Sequence, residues 1–291
     1  MKKRVLGMIA AVMAAVSAFA FTACGGNSET EKDILVVCRE ASSGTREAFD
    51  KYVGLSAADI TSDKEEFSST GNVREKVSST KTAIGYISLA SVDDSVKAVK
   101  IEGFEPTQDN VRSGQYKIQR PFLLLTSTSV SLNAAAQDFY NYCMSKTAES
   151  VITGEKGITT SDFSTRPEYT VPTEALSGTI VLKGSTSMED IIKKLADGYK
   201  ALCGDKVSSV NFTFDFPGSG GGRTAASEDT TGNVIGLASS SSPNDKYTEN
   251  TLCLDAVAVI VNKENDVVTN LTKEQLKSIY TGAIKKFSEL K

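Results

Sequence analysis

No histidine occurs anywhere in the 291 residues. Its absence removes the commonest general base and the commonest metal ligand together. Beyond Lys2, Lys3 and Arg4 there is no basic run, and the net charge is −4. An acidic chain of this kind argues against nucleic acid as a partner. Cys38, Cys143, Cys203 and Cys253 are widely spaced and form no C-x-x-C pair; two lie in the apolar runs VVC and TLCLD. Buried free thiols are the reading adopted for them. No G-K-[ST] exists to build a nucleotide phosphate loop, and the glycine run at 218–222 departs from G-x-G-x-x-G at Arg223. SSTK at 78–81 fits S-x-x-K, so Ser78 and Lys81 outline a serine-hydrolase alternative, but the accompanying S-D-N and K-T-G motifs are missing.

What is present begins with a charged head, Lys2 to Arg4, followed by an apolar stretch from Val5 to Ala23. This pattern reads as a secretory signal rather than part of the fold, with a membrane anchor as the alternative. The stretch ends in FTAC, and Cys24 with the polar GGNSETEK after it resembles a bacterial lipoprotein lipobox. That resemblance implies lipidation at Cys24 and residence on the extracytoplasmic face of the cell membrane. The rest of the chain is large for a single core and natural for two lobes.

After a polar tether, ILVV predicts a short buried strand that delivers Arg39 to its end, with a helix at 44–53. Further strands are predicted at AIGYISL and VKAVKI. RPFLLLT, apolar and continuous, reads as a buried parallel strand. Ala136, Phe139, Tyr140 and Cys143 recur at helical spacing between Asn133 and Val151. Residues 167–177 carry two prolines and no periodicity, and read as a linker. TIVLKG, SVNFTFDF, NVIGLASS and LDAVAVIVN then alternate with helical segments, ending in TKEQLKSIYTG. Strands alternating with helices predict an α/β fold with mainly parallel sheets.

Four segments repeat one chemical idea: a strand end, then small hydroxyl or glycine residues, then a helix or turn. They are Arg39 with Ser43, Gly44 and Thr45; GSTS at 184–187; GSGGG at 218–222; and ASSSS at 238–242. A helix start offers unpaired N–H groups and a positive dipole end, and a guanidinium adds a forked donor. Any one of these could be an ordinary helix cap. Together they predict an anion-binding cleft, so the chain binds an anion rather than transforming one.

These segments resemble the phosphate-binding protein of bacterial ABC phosphate importers. TIVLKGSTSM, PGSGGGRTAA, NVIGLASS, LDAVAVIVN and NLTKEQLKSIYTGAIKKFSEL are similar, in order, to that family's first half. VVCREASSGTREAF, STGNVREKV, TAIGYISL and RPFLLLT are similar to its second. The block order is therefore inverted, as in a circular permutation, with 167–177 joining the old ends. A misassembled gene product is the alternative, and the correctly placed leader argues against it. The resemblance implies a two-lobed periplasmic-binding-protein-like fold of type II, circularly permuted. Its expected parts are a signal peptide (1–23), a tether (24–32), lobe two (33–118 plus 264–291) and lobe one (119–263). Crossings between lobes are expected near Arg120 and Asn262.

The same resemblance implies a phosphate held by Arg39, Ser43, Gly44 and Thr45 from one lobe and by Thr186, Ser187 and Ser219 from the other. Ser185 and Gly220 are expected to add backbone N–H groups. In better-known members an aspartate follows the ASS-type strand and accepts a ligand proton; Ser240 stands there instead. A hydroxyl still accepts a proton but does not repel ionised sulfate as a carboxylate does. Asp255 is read as a capping or hinge carboxylate rather than the replacement. The implied role is that of a monomeric receptor that captures inorganic phosphate for the permease of an ABC importer, with no cofactor, metal or catalysis. A surface phosphate sensor or scaffold without a transport role is the alternative.

Overall fold

The computed structural model describes residues 32–290; Cys24 and the expected signal peptide lie outside them. The chain opens with β1 (Leu35–Arg39), α1 (Gly44–Val53), β2 (Glu65–Phe67), α2 (Thr70–Ser79) and β3 (Ala83–Ser88). Next come β4 (Val96–Ala98), β5 (Lys100–Ile101), α3 (Gln108–Arg112) and β6 (Gln119–Ser127). Then follow α4 (Ala134–Cys143), α5 (Glu149–Gly154), β7 (Ser177–Gly184), α6 (Glu189–Cys203) and β8 (Ser209–Asp215). The last are α7 (Ser219–Ser227), β9 (Val234–Ala238), β10 (Tyr247–Asn262), β11 (Asn270–Leu271) and α8 (Lys273–Tyr280).

One curled sheet runs β2-β1-β3-β10-β6-β9-β7-β8, with β4 also on β10 and β11 paired to β5 apart from it. β1 pairs parallel with β2 and β3, and β7 parallel with β8 and β9. The centre is different. β10 is antiparallel to β3, β4 and β6, and β6 is antiparallel to β9. RPFLLLT is therefore buried as expected but not parallel. Its unbroken apolar run reports that both faces are covered, which says nothing about direction. The helix expected across 133–151 breaks after Cys143, where Ser145 turns back to donate from Oγ to the Tyr142 carbonyl at 2.7 Å. VKAVKI likewise divides at Val99, whose N–H goes to the Val259 carbonyl at 2.9 Å.

Two cores flank the sheet's centre. One gathers Phe122, Leu124, Phe139, Leu195, Tyr199, Leu237 and Leu252. The other gathers Val36, Phe49, Tyr86, Val257, Val259 and Tyr280, with Ile158 reaching into it. β10 serves both. Tyr247 to Ala256 pair with β6, and Val257 to Val261 pair with β3. Beyond the switch its alternation divides by face, with Val257, Val259 and Val261 in one cluster and Ala258 and Ile260 in another under α2. The change of pairing partner falls at Ala256–Val257, earlier in the strand than Asn262. The strand changes partner there without ending, so no break in the apolar run marks the boundary. β6 begins at Gln119, beside the Arg120 named above.

The segment 167–177 carries no strand or helix before Ser177, yet it is docked. Tyr169 donates its hydroxyl to Asp138 at 2.6 Å, and its ring, with Val171 and Leu176, packs on the first core. All four described cysteines are free and buried.

Candidate anion site between the lobes

Each half of the site is a turn at the carboxyl end of a strand. Parallel pairing sets Arg39, the last residue of β1, opposite Phe67 of β2, which brings Ser68 to Thr70 alongside. The Arg39 guanidinium is 2% exposed. Its Nε and Nη2 each reach the Glu40 carboxylate at 2.9 Å, and Nη1 donates to Thr70 Oγ1 at 3.0 Å. Arg46 fixes the turn by donating to the Arg39 carbonyl at 3.0 Å and to Glu66 at 2.8 Å. Ser43 caps α1, its Oγ accepting from the N–H groups of Thr45 and Arg46.

The facing half depends on a glycine. Gly184 ends β7 at φ 147°, and a Cβ there would lie 2.0 Å from the Leu237 carbonyl oxygen. Only glycine lets the chain pass β9 so closely. The close pass seats Ser185, Thr186 and Ser187 beside the end of β9. Ser185 Oγ donates to Ser239 Oγ at 3.0 Å. Ser219, first residue of α7, has its Oγ 3.2 Å from the same atom and accepts the Ser239 N–H at 3.1 Å.

Hydroxyls then meet across the lobes. Thr45 Oγ1 is 3.0 Å from Ser187 Oγ, and Thr70 Oγ1 is 3.0 Å from Thr186 Oγ1 and 3.2 Å from Ser187 Oγ. Gly44 presses on Ser239, so a Cβ there would come within 2.6 Å of Ser239 Oγ.

A second guanidinium lies behind this cluster. Arg120 Nε and Nη2 bind Asp255 Oδ2 at 3.0 and 2.9 Å, while Nη1 donates to Thr45 Oγ1 at 2.7 Å and Ser239 Oγ at 3.0 Å. Ser88 donates to the other Asp255 oxygen at 2.8 Å. Burial pushes the Asp255 carboxyl above its ordinary range, and Arg120 and Ser88 pull it back. Each guanidinium therefore faces its own carboxylate, and the cluster presents hydroxyl and N–H donors on a nearly neutral frame. Cys38, just before Arg39, has its thiol pushed up to about 12, chiefly by burial, so it is a packing group.

The structure brings together Arg39, Thr45, Ser185, Thr186, Ser187 and Ser219, with Gly44 against them and Ser43 as the helix cap. Gly220 lies at the edge, where an added Cβ would be 3.3 Å from Ser42 Cβ. Ser240 stands apart. Both its Oγ and its carbonyl accept from Arg223 Nη2, at 2.6 and 2.7 Å, whereas the Oγ of its neighbour Ser239 joins the cluster. Thr70, Arg120 and Ser239 join the cluster without being among the residues expected from the sequence. Thr70 was visible only as a hydroxyl in STGN, and Arg120 only as a crossing. Ser78 donates to the Glu75 carbonyl of its own helix at 2.8 Å, and Lys81 pairs with Glu264 at 2.7 Å, so the two do not form a nucleophile and base. Beside the site, a cavity of about 470 Å³ is lined by Lys51, Tyr52, Lys117, Arg120 and Ser240.

Comparison with known proteins fits this geometry. The PBP superfamily domain matches residues 27–147 and 170–290 as two segments. Phosphate-binding protein PstS 2 of Streptococcus pneumoniae is 33% identical over 95% of this chain and 96% of its own length. The protein of that name from Streptococcus agalactiae is 32% identical over 100% and 99%. Phosphate-binding protein PstS of Bacillus subtilis aligns over only 44% of this chain. A crystal structure of a phosphate ABC transporter phosphate-binding protein from S. pneumoniae superposes with a TM-score of 0.67 at 32% identity, covering 89% of this chain and 100% of that one. On fold, site and end-to-end similarity, the chain belongs to the PBP superfamily, in the family of the bacterial phosphate-binding proteins PstS.

Proposed function

We propose that this protein is an extracytoplasmic receptor that captures inorganic phosphate between two lobes and delivers it to the permease of an ABC importer. The observation that carries the reading is the hydroxyl cluster itself. Thr45 and Thr70 come from one lobe, Thr186 and Ser187 from the other, and Arg39 donates to Thr70 from behind. A ligand held by both halves favours closure, because only the closed form supplies the complete donor set and excludes water. The lobes divide at Gln119–Arg120 and Ala256–Val257, and bending of β6 and β10 there opens the cleft. Arg39, Ser43, Gly44, Thr45, Ser185, Thr186, Ser187, Ser219 and Gly220 line the ligand as side-chain or backbone donors, joined by Thr70 and Ser239.

The protein works as a monomer, tethered through lipid on Cys24, and is not an enzyme. Equilibrium binding of radiolabelled phosphate tests the central reading. Saturable binding that collapses in Arg39→Ala supports it, and no binding of phosphate or any other oxyanion by the unsubstituted protein overturns it. Membrane fractionation of Cys24→Ser tests the tether, with release of the protein as the supporting result.

A further inference from the structure

Arg120 has a role that phosphate capture alone does not require. Its guanidinium is 2% exposed, and both N–H groups of Nη1 are committed, one to Thr45 Oγ1 and one to Ser239 Oγ. A hydroxyl has one proton to give and two lone pairs to fill. Ser239 Oγ accepts from Arg120 and from Ser185 Oγ, which occupies both lone pairs. Its remaining capacity is to donate, and Ser219 Oγ, 3.2 Å away, is within reach of that proton, which leaves the Ser219 proton for a ligand. Thr45 Oγ1 also accepts from Arg120, which fills one of its lone pairs and leaves its proton and one lone pair for Ser187 Oγ at 3.0 Å and a ligand. A guanidinium cannot reverse this polarity, because it accepts no hydrogen bond and does not deprotonate in a protein.

We propose that Arg120 is a positioning residue that fixes Ser239 as a donor and takes up one acceptor position of Thr45, so that the site engages unprotonated oxygens of its ligand. The inference rests on the phosphate reading above and narrows it. The carboxylates paired with the two guanidinium groups at the cluster are Glu40, bound to Arg39, and Asp255, bound to Arg120. Neither stands unpaired to accept a ligand proton. The dianion of phosphate is therefore preferred to the monoanion. Sulfate, a tetrahedral dianion with no proton, competes for the same donors.

The test is calorimetry with inorganic phosphate between about pH 6 and about pH 8, across the second ionisation, with sulfate as competitor. Three proteins are compared: the unsubstituted chain, Arg120→Lys, and the double variant Arg120→Gln with Asp255→Asn. The double variant removes both charges, so no buried ion is left unpaired. The expected result is an affinity that rises about tenfold with pH in the unsubstituted protein, following the dianion, together with displacement by sulfate. In the double variant the affinity drops and the rise flattens, because freed hydroxyls can rotate to accept a ligand proton. Arg120→Lys restores part of both. A double variant weakened by one constant factor at every pH makes Arg120 merely structural and overturns the proposal. So does an unsubstituted protein that binds phosphate but ignores about a hundredfold excess of sulfate. Absence of phosphate binding at every pH overturns the underlying reading, and this inference with it.

Discussion

Arg120 and Asp255 stand directly opposite one another on antiparallel β6 and β10, at the point where the chain passes between the two cores. Their side chains join at 3.0 and 2.9 Å, and both residues are almost completely buried. One ion pair thus fastens the two crossing strands to each other and turns its remaining donors toward the hydroxyl cluster.

Removing one partner strands the other charge. Asp255→Asn is expected to cost about 3–5 kcal/mol of folding stability, the range for a broken buried pair. The double variant with Arg120→Gln should cost clearly less. Urea denaturation of the three proteins measures the difference. Equal losses in the single and double variants would mean that the pair is not coupled.

Adjacent serines on one strand end face different ways, so their alanine variants should differ. Ser239→Ala is expected to weaken phosphate binding by about tenfold to a hundredfold, the worth of one hydrogen bond to a charged group. Ser240→Ala should change it by less than about threefold, because Arg223 keeps the Ser240 carbonyl. Titration calorimetry distinguishes the two, and the reverse ranking would restore Ser240 to the site.

Closure should be sensitive to a single methyl group. Gly44 is the first residue of α1, and its added Cβ would meet Ser239 across the lobes, 2.6 Å from Oγ and 2.8 Å from the carbonyl carbon. Gly44→Ala is expected to weaken phosphate binding at least about tenfold. Folding stability should hold or rise by up to about 1 kcal/mol, since alanine favours the helix. Affinity and thermal denaturation measured together check this split.

Alkali should destabilise the fold through its thiols. Cys38 ionises near 9.0 in the unfolded chain and only at about 12 in the fold, where burial keeps it neutral. Between those values the unfolded state binds fewer protons, so stability falls as pH rises, and below them this thiol adds no pH dependence. The slope is about 1.4 kcal/mol per pH unit for this group. Cys143 and Cys253 are raised in the same direction by burial and add to it. Urea midpoints measured with reductant above about pH 9 should fall less steeply in Cys38→Ser.

Much of this was legible in the residues. Arg39 at a strand end before SGT, and serines and threonines at three other strand ends, pointed to a shared cleft because helix starts and hydroxyls have few other reasons to recur in that pattern. Three features were not legible. The direction of β6 was hidden because an apolar run records covered faces alone. Ser239 and Ser240 differ only in register, and a one-residue shift exchanges inward for outward. Arg120 and Thr70 reach the site through strand neighbours far away in sequence, Asp255 for one and β1 for the other, so no local motif announces them.

The central claim is that one phosphate ion sits between the lobes, held by hydroxyls from both. A crystal structure grown in phosphate tests it most directly. A single tetrahedral anion is expected, touching Thr45 and Thr70 on one side and Thr186, Ser187 and Ser239 on the other, with Arg39 behind it. An anion bound to one lobe alone, or seated in the neighbouring cavity beside Lys51 and Lys117, would contradict it.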